Sequence, residues 1–337
     1  MKKIVGIIAV ALILIGGYVV YQKNTDKSSS LVKVRVGHLV ALDMAPLFAA
    51  KEAGFFEDEG LDVETIFFAN PGDNNGALAS GDIQFSINPF TLPFLGDNSG
   101  VPMKIISSAG GLSIIQVVMQ GTYGVASMAE LSKYVKNTNA PKLKVGALRG
   151  DTLDMILYKS FNDNNMNYDN FEMIWFNDLL AMVEAFKSKQ IDILSHIKPY
   201  TTDLEINYDA KVLTDNSKVW GLGTPNCTVA VLDGYMTKHP KEVEAYLRAL
   251  YKGFQFIVNE PKKASELLTK GKYYNVSEEV LFFAFKNQPQ EVILLPNKEG
   301  MMIAINDMIK QGYIKSVNAN VINTNLLLKV IKEIKSK

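Results

Sequence analysis

The stretch VKVRVGHLVALDMAPLFAAKEAGFFEDEGLDVETIFF, residues 32–68, contains two strand patterns separated by a helix pattern. Val32, Val34 and Val36 alternate with polar residues, which is the period of a half-buried strand. APLFAAKEAGFF then has the pattern of a short helix, and DVETIFF is the second strand. Strands separated by helices indicate parallel pairing with right-handed crossovers, so this stretch predicts an α/β protein.

One helix-to-strand join occurs twice in the chain. ALASGDIQFS at residues 77–86 and AFKSKQIDIL at residues 185–194 carry Ala, Ser and Ile at the same offsets. Three identities in ten positions are weak evidence for a duplicated unit and better evidence for the same local packing. The two joins therefore predict two α/β lobes, each with a helix that packs on its own sheet and leads into the next strand.

The chain of 337 residues is long enough for two lobes with a core in each. We predict that residues 31–112 and 222–337 form lobe I and that residues 113–221 form lobe II. From His239 the chain has helical patterns almost to its end. Lobe I is therefore expected to carry a helical C-terminus.

The composition excludes several classes of function. Formal net charge is zero, so no basic excess indicates a nucleic-acid partner. The single cysteine, Cys227, cannot form an internal disulfide or a cysteine-rich metal site. We expect Cys227 to be a small buried residue on a strand, and we expect no cofactor and no metal.

The N-terminus resembles an export segment. MKK is followed by IVGIIAVALILIGGYVV, 17 residues without a charge, and then by the polar stretch YQKNTDKSSS. This length is the short limit for a membrane-spanning helix. We favour an uncleaved membrane anchor in residues 1–30, with a cleaved signal peptide or a buried core helix as alternatives. Lys2 and Lys3 should stay cytoplasmic, which places the rest of the chain in the periplasm or at the cell surface.

Signatures of catalysis are scarce. The chain has no H-E-x-x-H, G-x-S-x-G, Walker A or G-x-G-x-x-G motif. In open α/β sheets, ligands bind at the carboxyl ends of the strands. Five segments follow predicted strands and fall at that edge: HLVALDM (38–44), ANPGDNNG (69–76), NP (88–89), LRGDT (148–152) and SHIKPY (195–200).

These segments, together with one aromatic residue, supply the candidate ligand-binding residues. Two of the segments lead into a helix through glycine and a polar residue, and the free N–H groups at a helix start favour an anion. Arg149 can grip a sulfonate, carboxylate or phosphate through two parallel hydrogen bonds. The candidate set is His38, Asp43, Met44, Asn70, Gly72, Asp73, Asn74, Asn88, Pro89, Arg149, Asp151, Thr152, Trp175, His196 and Tyr200.

Most of these residue types also have a simpler explanation. Helix capping accounts for Asp151 and Thr152, and a salt bridge at the surface or between the lobes accounts for Arg149. Turn and capping chemistry explains the polar residues of 69–76. Aromatic residues at such positions, such as Trp175, commonly belong to the core. Both explanations stay open on the sequence alone.

Several stretches together resemble one protein family. AAKEAGFFEDEGLDVE, the glycine loop before ALASGDIQFS, and NP look like the first lobe of solute-binding proteins of ABC importers. The most similar group is the nitrate, sulfonate, taurine and thiamine-precursor type, called NMT1/THI5-like. LKVGALRGDTLDMILYKSF and VEAFKSKQIDILSHIKPY resemble its second lobe, and HPKEVEAYLRALYKGFQFIVNEPKKA resembles its C-terminal helices. The likeness covers residues 32 to about 270.

The resemblance implies a two-lobed periplasmic-binding-protein-like fold of type II, with two hinge-crossing segments near residues 109–118 and 221–229. It implies a monomer without enzymatic activity. The lobes close on a small ligand, and the closed form docks on an ABC permease driven by a cytoplasmic ATPase.

The loop LRGDT departs from the family, in which small residues and hydroxyls are typical. Arg149 favours an anion, whereas Asp43, Asp73 and Asp151 would repel an anion or bind an amine. The expected ligand is therefore a small anion or zwitterion of the sulfonate, taurine or nitrate type.

Two other functions are compatible with this fold. One is an enzyme similar to the pyrimidine-synthesising or menaquinone-pathway relatives. The export segment argues against it, as does the lack of a cysteine cluster with a nearby histidine. The other is a ligand-sensing receptor domain, which would need a second protein to carry the signal.

Overall fold

The computed structural model describes residues 31–137, 141–286 and 294–336. The predicted anchor or signal peptide lies in residues 1–30, outside the described residues. Within the described ranges, no helix combines the length and the apolar character needed to cross a membrane.

In the part of the chain that the structure describes, ten strands form two five-stranded sheets. They are β1 (Val32–His38), β2 (Leu61–Phe67), β3 (Phe85–Pro89), β4 (Met103–Ser108), β5 (Ile115–Gln120), β6 (Lys144–Leu148), β7 (Glu172–Phe176), β8 (Ile193–Ile197), β9 (Ala210–Asp215) and β10 (Cys227–Leu232). Sheet I has the order β2–β1–β3–β10–β4, and sheet II has the order β7–β6–β8–β5–β9.

The two sheets repeat one arrangement. β1 pairs in parallel with β2 and β3, and β10 lies antiparallel between β3 and β4. In sheet II, β6 pairs in parallel with β7 and β8, and β5 lies antiparallel between β8 and β9. The predicted parallel strand pairs are confirmed, because the alternating and helical periods of the sequence are local signals.

The helices cover the sheets and form the C-terminal part of the chain. They are α1 (Ala45–Glu52), α2 (Phe55–Asp58), α3 (Pro71–Ser80), α4 (Thr91–Asn98), α5 (Met128–Asn137), α6 (Thr152–Asp163), α7 (Leu179–Lys187), α8 (Tyr200–Asn207), α9 (Asn216–Trp220), α10 (Asp233–Lys238), α11 (Pro240–Asn259), α12 (Pro261–Lys270), α13 (Glu278–Lys286), α14 (Lys298–Lys310) and α15 (Asn325–Lys335). The two similar joins of the sequence are those from α3 to β3 and from α7 to β8.

The chain crosses between the sheets twice. It leaves sheet I after Ser108 and enters sheet II at Ile115, and it returns between Trp220 and Cys227. The predicted two-lobed α/β fold with two crossing segments and a helical C-terminus is confirmed.

The C-terminal helices touch both lobes. α13 contacts α8, and α14 contacts α6 and α9, all of which belong to the second lobe. The start of α14 is fixed to the returning crossing segment. The backbone N–H of Asn297 donates to Gly223 O at 3.0 Å, and its side-chain Nδ2 donates to Leu222 O at 2.9 Å. A third part of the chain therefore adjoins the crossing between the lobes.

α11 covers sheet I and packs closely on α1. The ring of Tyr246 stacks on Phe85 of β3 with 4.0 Å between ring centroids. Further along α11, a Cβ on Gly253 would lie 2.2 Å from the Pro46 carbonyl oxygen and 2.8 Å from the Ala50 nitrogen. Both of these atoms belong to α1, so the contact between the helices requires glycine at position 253.

We predict that Gly253→Ala lowers the free energy of unfolding by about 1–3 kcal/mol, because the added methyl group meets backbone atoms. Gly76→Ala is the matched control, since a Cβ there would meet nothing within 4 Å. It should raise the free energy of unfolding by up to about 1 kcal/mol, as Ala replaces Gly within α3. Urea unfolding of both variants measures the difference. Equal effects at the two positions would contradict the close approach of α11 and α1.

Candidate functional site

A small cavity lies between the two lobes, and all five predicted loop segments contribute to its wall. Its volume is about 10 Å³, which is the space of roughly one water molecule. A larger ligand therefore requires the lobes to part before it binds. The wall consists of Leu39, Ala41, Pro71, Pro89, Asp151, Thr152, Leu153, Leu179, Ile197 and Asn226.

Three polar side chains of this wall come from the second lobe and the returning crossing. Thr152 Oγ1 donates to Asn226 Oδ1 at 2.8 Å. Asp151 caps α6, because its Oδ1 accepts from Leu153 N at 2.8 Å and from Asp154 N at 3.3 Å. Burial, with a smaller contribution from the charge of Asp154, raises the pKa of Asp151 to about 8. Asp151 therefore caps α6, and it also lines the cavity between the lobes.

Asp43 and Met44 fix the loop that follows β1. The Asp43 carboxyl is 1% exposed, and its Oδ2 accepts from Cys227 N at 2.7 Å. Its Oδ1 is buried without a hydrogen-bond partner among the described residues. Burial raises the pKa of Asp43 to about 7, although the bonds from Cys227 and Asn226 lower it. Met44 is buried, and its Sδ accepts from Leu39 N at 2.9 Å.

The start of α3 is capped by a side chain and contacts the second lobe. Asn70 Oδ1 accepts from Gly72 N at 2.7 Å, and Asn70 Nδ2 donates to Asn177 O at 3.0 Å. Gly72 and Asp73 are exposed and do not belong to the cavity wall. Asn70 therefore caps a helix and joins the two lobes.

Asn74 and Asn88 support the backbone beside the cavity. Asn74 Nδ2 donates to Ile87 O at 3.0 Å, and its Oδ1 accepts from Ser86 Oγ at 3.0 Å. Asn88 Nδ2 donates to Pro71 O at 2.9 Å, while its Oδ1 is buried without a partner among the described residues. The neighbouring Pro89 lies in the cavity wall.

The two candidate histidines are buried against backbone carbonyls. His38 Nδ1 lies 2.7 Å from Leu39 O, and its ring contacts Phe48 edge to face at 4.9 Å. Burial lowers the pKa of His38. His196 Nε2 lies 2.8 Å from Leu179 O, and burial lowers its pKa to about 4. Tyr200 packs edge to face on His196 with 5.7 Å between centroids.

Arg149 and Trp175 contact each other away from the cavity wall. The guanidinium carbon of Arg149 lies 4.5 Å from the centroid of the Trp175 ring, which is a cation–π contact. Arg149 is exposed and Trp175 is partly buried on the edge strand β7. In this structure, Arg149 therefore lies outside the cavity wall, where it was expected to bind an anion.

A buried carboxyl joins the second lobe to the C-terminal part of the first. Asp154 Oδ2 accepts from Gly150 N at 2.8 Å and from Tyr313 OH at 2.7 Å, and Oδ1 accepts from Tyr168 OH. Burial raises the pKa of Asp154. We call these four residues the Asp154 cluster.

Tyr313 belongs to a segment held by the first lobe. Lys315 N donates to Asn98 Oδ1 at 2.9 Å, and Asn98 Nδ2 donates to Ser316 O at 2.6 Å. Asn98 is the last residue of α4, which contacts β4 of sheet I. The bond from Tyr313 to Asp154 therefore crosses between the lobes.

Sequence reasoning missed Asn226, Lys198 and Tyr313. Lys198 is 8% exposed, its backbone N donates to Ile114 O, and its O accepts from Leu42 N, both at 2.8 Å. Burial lowers its pKa. Asn226 lies in a predicted crossing segment, and Lys198 lies in a predicted strand-end loop. Their positions in the sequence could therefore have identified them as candidates. Tyr313 carries no such signal.

The described residues offer little for metal binding or nucleophilic catalysis. No group of three or more His, Cys, Asp and Glu side chains among them is placed to hold a metal ion. Cys227 is fully buried, and this burial raises the pKa of its thiol, so the reactive thiolate is disfavoured.

Comparison with known sequences gives one family. The sequence model of the NMT1-like family matches residues 27–269. A protein of Brucella abortus named as a binding protein is 26% identical over 242 residues, 71% of each chain. A Bacillus subtilis protein named for binding aliphatic sulfonates is 24% identical over 272 residues, 79% of this chain and 77% of its own. The formylaminopyrimidine-binding protein of Halalkalibacterium halodurans is 24% identical over 232 residues, 66% and 64% of the two chains.

Two solved structures share the fold. The periplasmic nitrate-binding protein of Synechocystis has a TM-score of 0.76 and 17% identity, covering 91% of this chain and 90% of its own. The alkanesulfonate-binding protein of Xanthomonas axonopodis, bound to MOPS, has a TM-score of 0.72 and 12% identity, covering 86% and 98%. The periplasmic-binding-protein fold expected from the sequence is confirmed.

We predict that the buried carboxyl of Asp43 links stability to pH. Its pKa of about 7 in the folded protein lies above the value of 3.8 for a free side chain. Its contribution to stability is therefore full below about pH 4 and is lost as pH rises through 7. Asp43→Asn removes this dependence and keeps an oxygen for Cys227 N–H. The difference in unfolding free energy, variant minus wild type, should rise by up to about 1.4 kcal/mol per pH unit in that window.

Urea unfolding at pH 5, 6, 7 and 8 measures this difference. Asp73→Asn is the control, because the carboxyl of Asp73 is exposed on the same lobe. A difference for Asp43→Asn that does not change with pH would contradict the raised pKa.

Proposed function

The chain belongs to the NMT1-like family, and on this premise we propose that it is the solute-binding component of an ABC importer. The observation that carries the proposal is the convergence of five strand-end loops from both lobes on one cavity. A ligand that contacts both lobes stabilises their closed arrangement, because it gains those contacts only there. The closed protein then delivers the ligand to a membrane permease whose ATPase lies on the cytoplasmic side.

We propose that the protein works outside the cell membrane, as a monomer and without a cofactor. The apolar run after MKK supports export, as a membrane anchor or as a cleaved signal peptide. The relatives from Brucella abortus, Bacillus subtilis and Halalkalibacterium halodurans are named as binding proteins, which supports a role in binding and not in catalysis. The periplasmic solved structures of the same fold agree with this location.

The proposed ligand is a small anion or zwitterion. The names of the sulfonate-binding relative and the nitrate-binding structure support this class. Lys198 is a candidate cation for such a ligand, because it is buried and its backbone joins the first crossing to the loop after β1. Glu205 and Asp215 of the same lobe attract the charge of Lys198. Arg149 is a weaker candidate than the sequence indicated, because it stacks on Trp175.

Binding of such a ligand is the first test. Full-length protein should be unfolded thermally in the presence of taurine, ethanesulfonate, nitrate, dicarboxylates and 4-aminopyrimidine. A ligand at 100 times its Kd should add about 2.7 kcal/mol to the free energy of unfolding. Small-angle X-ray scattering with the same ligand should show a smaller radius of gyration, because the lobes close. A well-folded protein that no member of this panel stabilises would contradict the proposal.

The bond from Tyr313 to Asp154 should favour closure. Tyr313→Phe leaves a buried carboxyl with one donor fewer, at a cost of about 1–3 kcal/mol. Because the bond joins the lobes, this cost falls on the closed form. We expect the ligand found in the first test to bind about tenfold more weakly, as measured by titration calorimetry. Tyr158→Phe is the control, because no described residue forms a hydrogen bond with its hydroxyl group. Equal affinity in all three proteins would show that the Asp154 cluster does not assist closure.

A further inference from the structure

We propose that the ligand carries an amino group and that this group binds the free carboxylate oxygen of Asp151. The inference rests on the proposed solute-binding function, and it makes an amino group, instead of a negative charge, the required feature of the ligand. It excludes bare anions such as nitrate and simple alkanesulfonates as preferred ligands. Amines, aminoheterocycles and aminosulfonates remain.

Asp151 presents a carboxyl group to the space between the lobes. The residue is 4% exposed and lies in the wall of the cavity between the lobes. Both hydrogen bonds that its side chain accepts from described residues fall on Oδ1, from Leu153 N and Asp154 N. Oδ2 is left for a ligand. The capping bonds also hold the carboxylate in one orientation, so a donor that enters the cleft meets a fixed acceptor.

The charges around Asp151 favour a partner that carries a positive charge or an N–H group. The charge that acts on Asp151 is that of Asp154, another acid, and no described lysine or arginine forms an ion pair with Asp151. Burial without a cation raises the pKa of Asp151 to about 8. A buried carboxylate is stable when a positive or N–H group pairs with it. A ligand ammonium or amine N–H supplies that partner and favours the ionised carboxylate, which burial alone disfavours.

The starts of α3 and α6, which were expected to favour an anion, and the start of α7 are all capped by side chains. Asn70 already caps α3 by accepting from Gly72 N, and Asp151 caps α6. Asp178 caps α7 by accepting from Leu180 N and Ala181 N at 2.7 and 2.9 Å. N–H groups in the first turns of these three helices are therefore bound to side chains of the protein. An anion would have to displace those caps before it could use the same donors.

The remaining wall suits a compact ligand body that is largely apolar. Seven of the ten wall residues are apolar. The Asn226 carboxamide lines the same cavity, with its Oδ1 bonded to Thr152 and its Nδ2 3.3 Å from Cys227 Sγ. A nitrate ion has no apolar surface that could pack on this wall. The carbon atoms of an amine or an aminopyrimidine would pack on it.

The test compares ligands that differ only in the amino group. Taurine is paired with ethanesulfonate, and 4-aminopyrimidine is paired with pyrimidine. Titration calorimetry on the full-length protein gives Kd for all four probes. We expect the amino member of at least one pair to bind ten times or more tightly than its partner. Asp151→Asn keeps an oxygen for the cap and removes the charge, so it should reduce that ratio to about one.

Asp178→Asn is the matched control variant. Asp178 also caps a helix of the second lobe through one oxygen, but it does not line the cavity. This variant should keep the ratio of the wild type, and thermal unfolding should show that both variants fold. Retention of the ratio in Asp151→Asn would assign the amino group to another acceptor and overturn the inference.

The remaining outcomes separate the inference from the proposed function. If ethanesulfonate binds as tightly as taurine, and pyrimidine as tightly as 4-aminopyrimidine, the inference fails and the solute-binding function stands. If no probe binds to a folded protein and none changes its radius of gyration, the proposed ligand class fails together with the inference.

Discussion

The boundary between the lobes depends on how the carboxyl of Asp43 holds the returning chain. Its bond to the backbone N–H of Cys227 joins the loop after β1 to the first residue of β10. β10 pairs with both β3 and β4, so this contact sets the position of an inner strand of sheet I. It also places Asn226 where it meets Thr152 of the second lobe. Burial of a carboxyl costs free energy. Here the buried carboxyl holds the junction on which the rest of the cleft is built.

The fold and the location of the cleft could be predicted because their signals are local. Alternating apolar residues mark strands, and residues spaced by three or four mark helices. Once parallel strands are established, their carboxyl ends meet at one edge. This is why residues 38–44 and 69–76 could be assigned to one edge in the first lobe, and residues 148–152 and 195–200 to one edge in the second. The predicted lobe boundaries and ligand residues themselves stay predictions.

The role of each side chain within those loops could not be predicted, because it depends on residues far away in sequence. Arg149 lies outside the cavity wall because the face of Trp175 is available to its guanidinium. Asp154 is buried because two tyrosine hydroxyls reach it, and Tyr313 stands 159 positions further along the chain. Asn74 was a candidate ligand-binding residue because of its residue type. Both Nδ2 and Oδ1 of its carboxamide, however, form hydrogen bonds within the protein. Residue type alone does not distinguish these roles.

The attachment of α14 to the returning crossing restricts how the lobes can move. Two separate crossings permit both bending and twisting of one lobe against the other. A third anchored segment removes a degree of freedom, because Asn297 is bonded to Leu222 and Gly223 while α14 itself packs on the second lobe. Twisting would shear these bonds, whereas bending about the line of the crossings leaves them in place. Bending about the line of the crossings is therefore the relative motion of the lobes that these contacts permit.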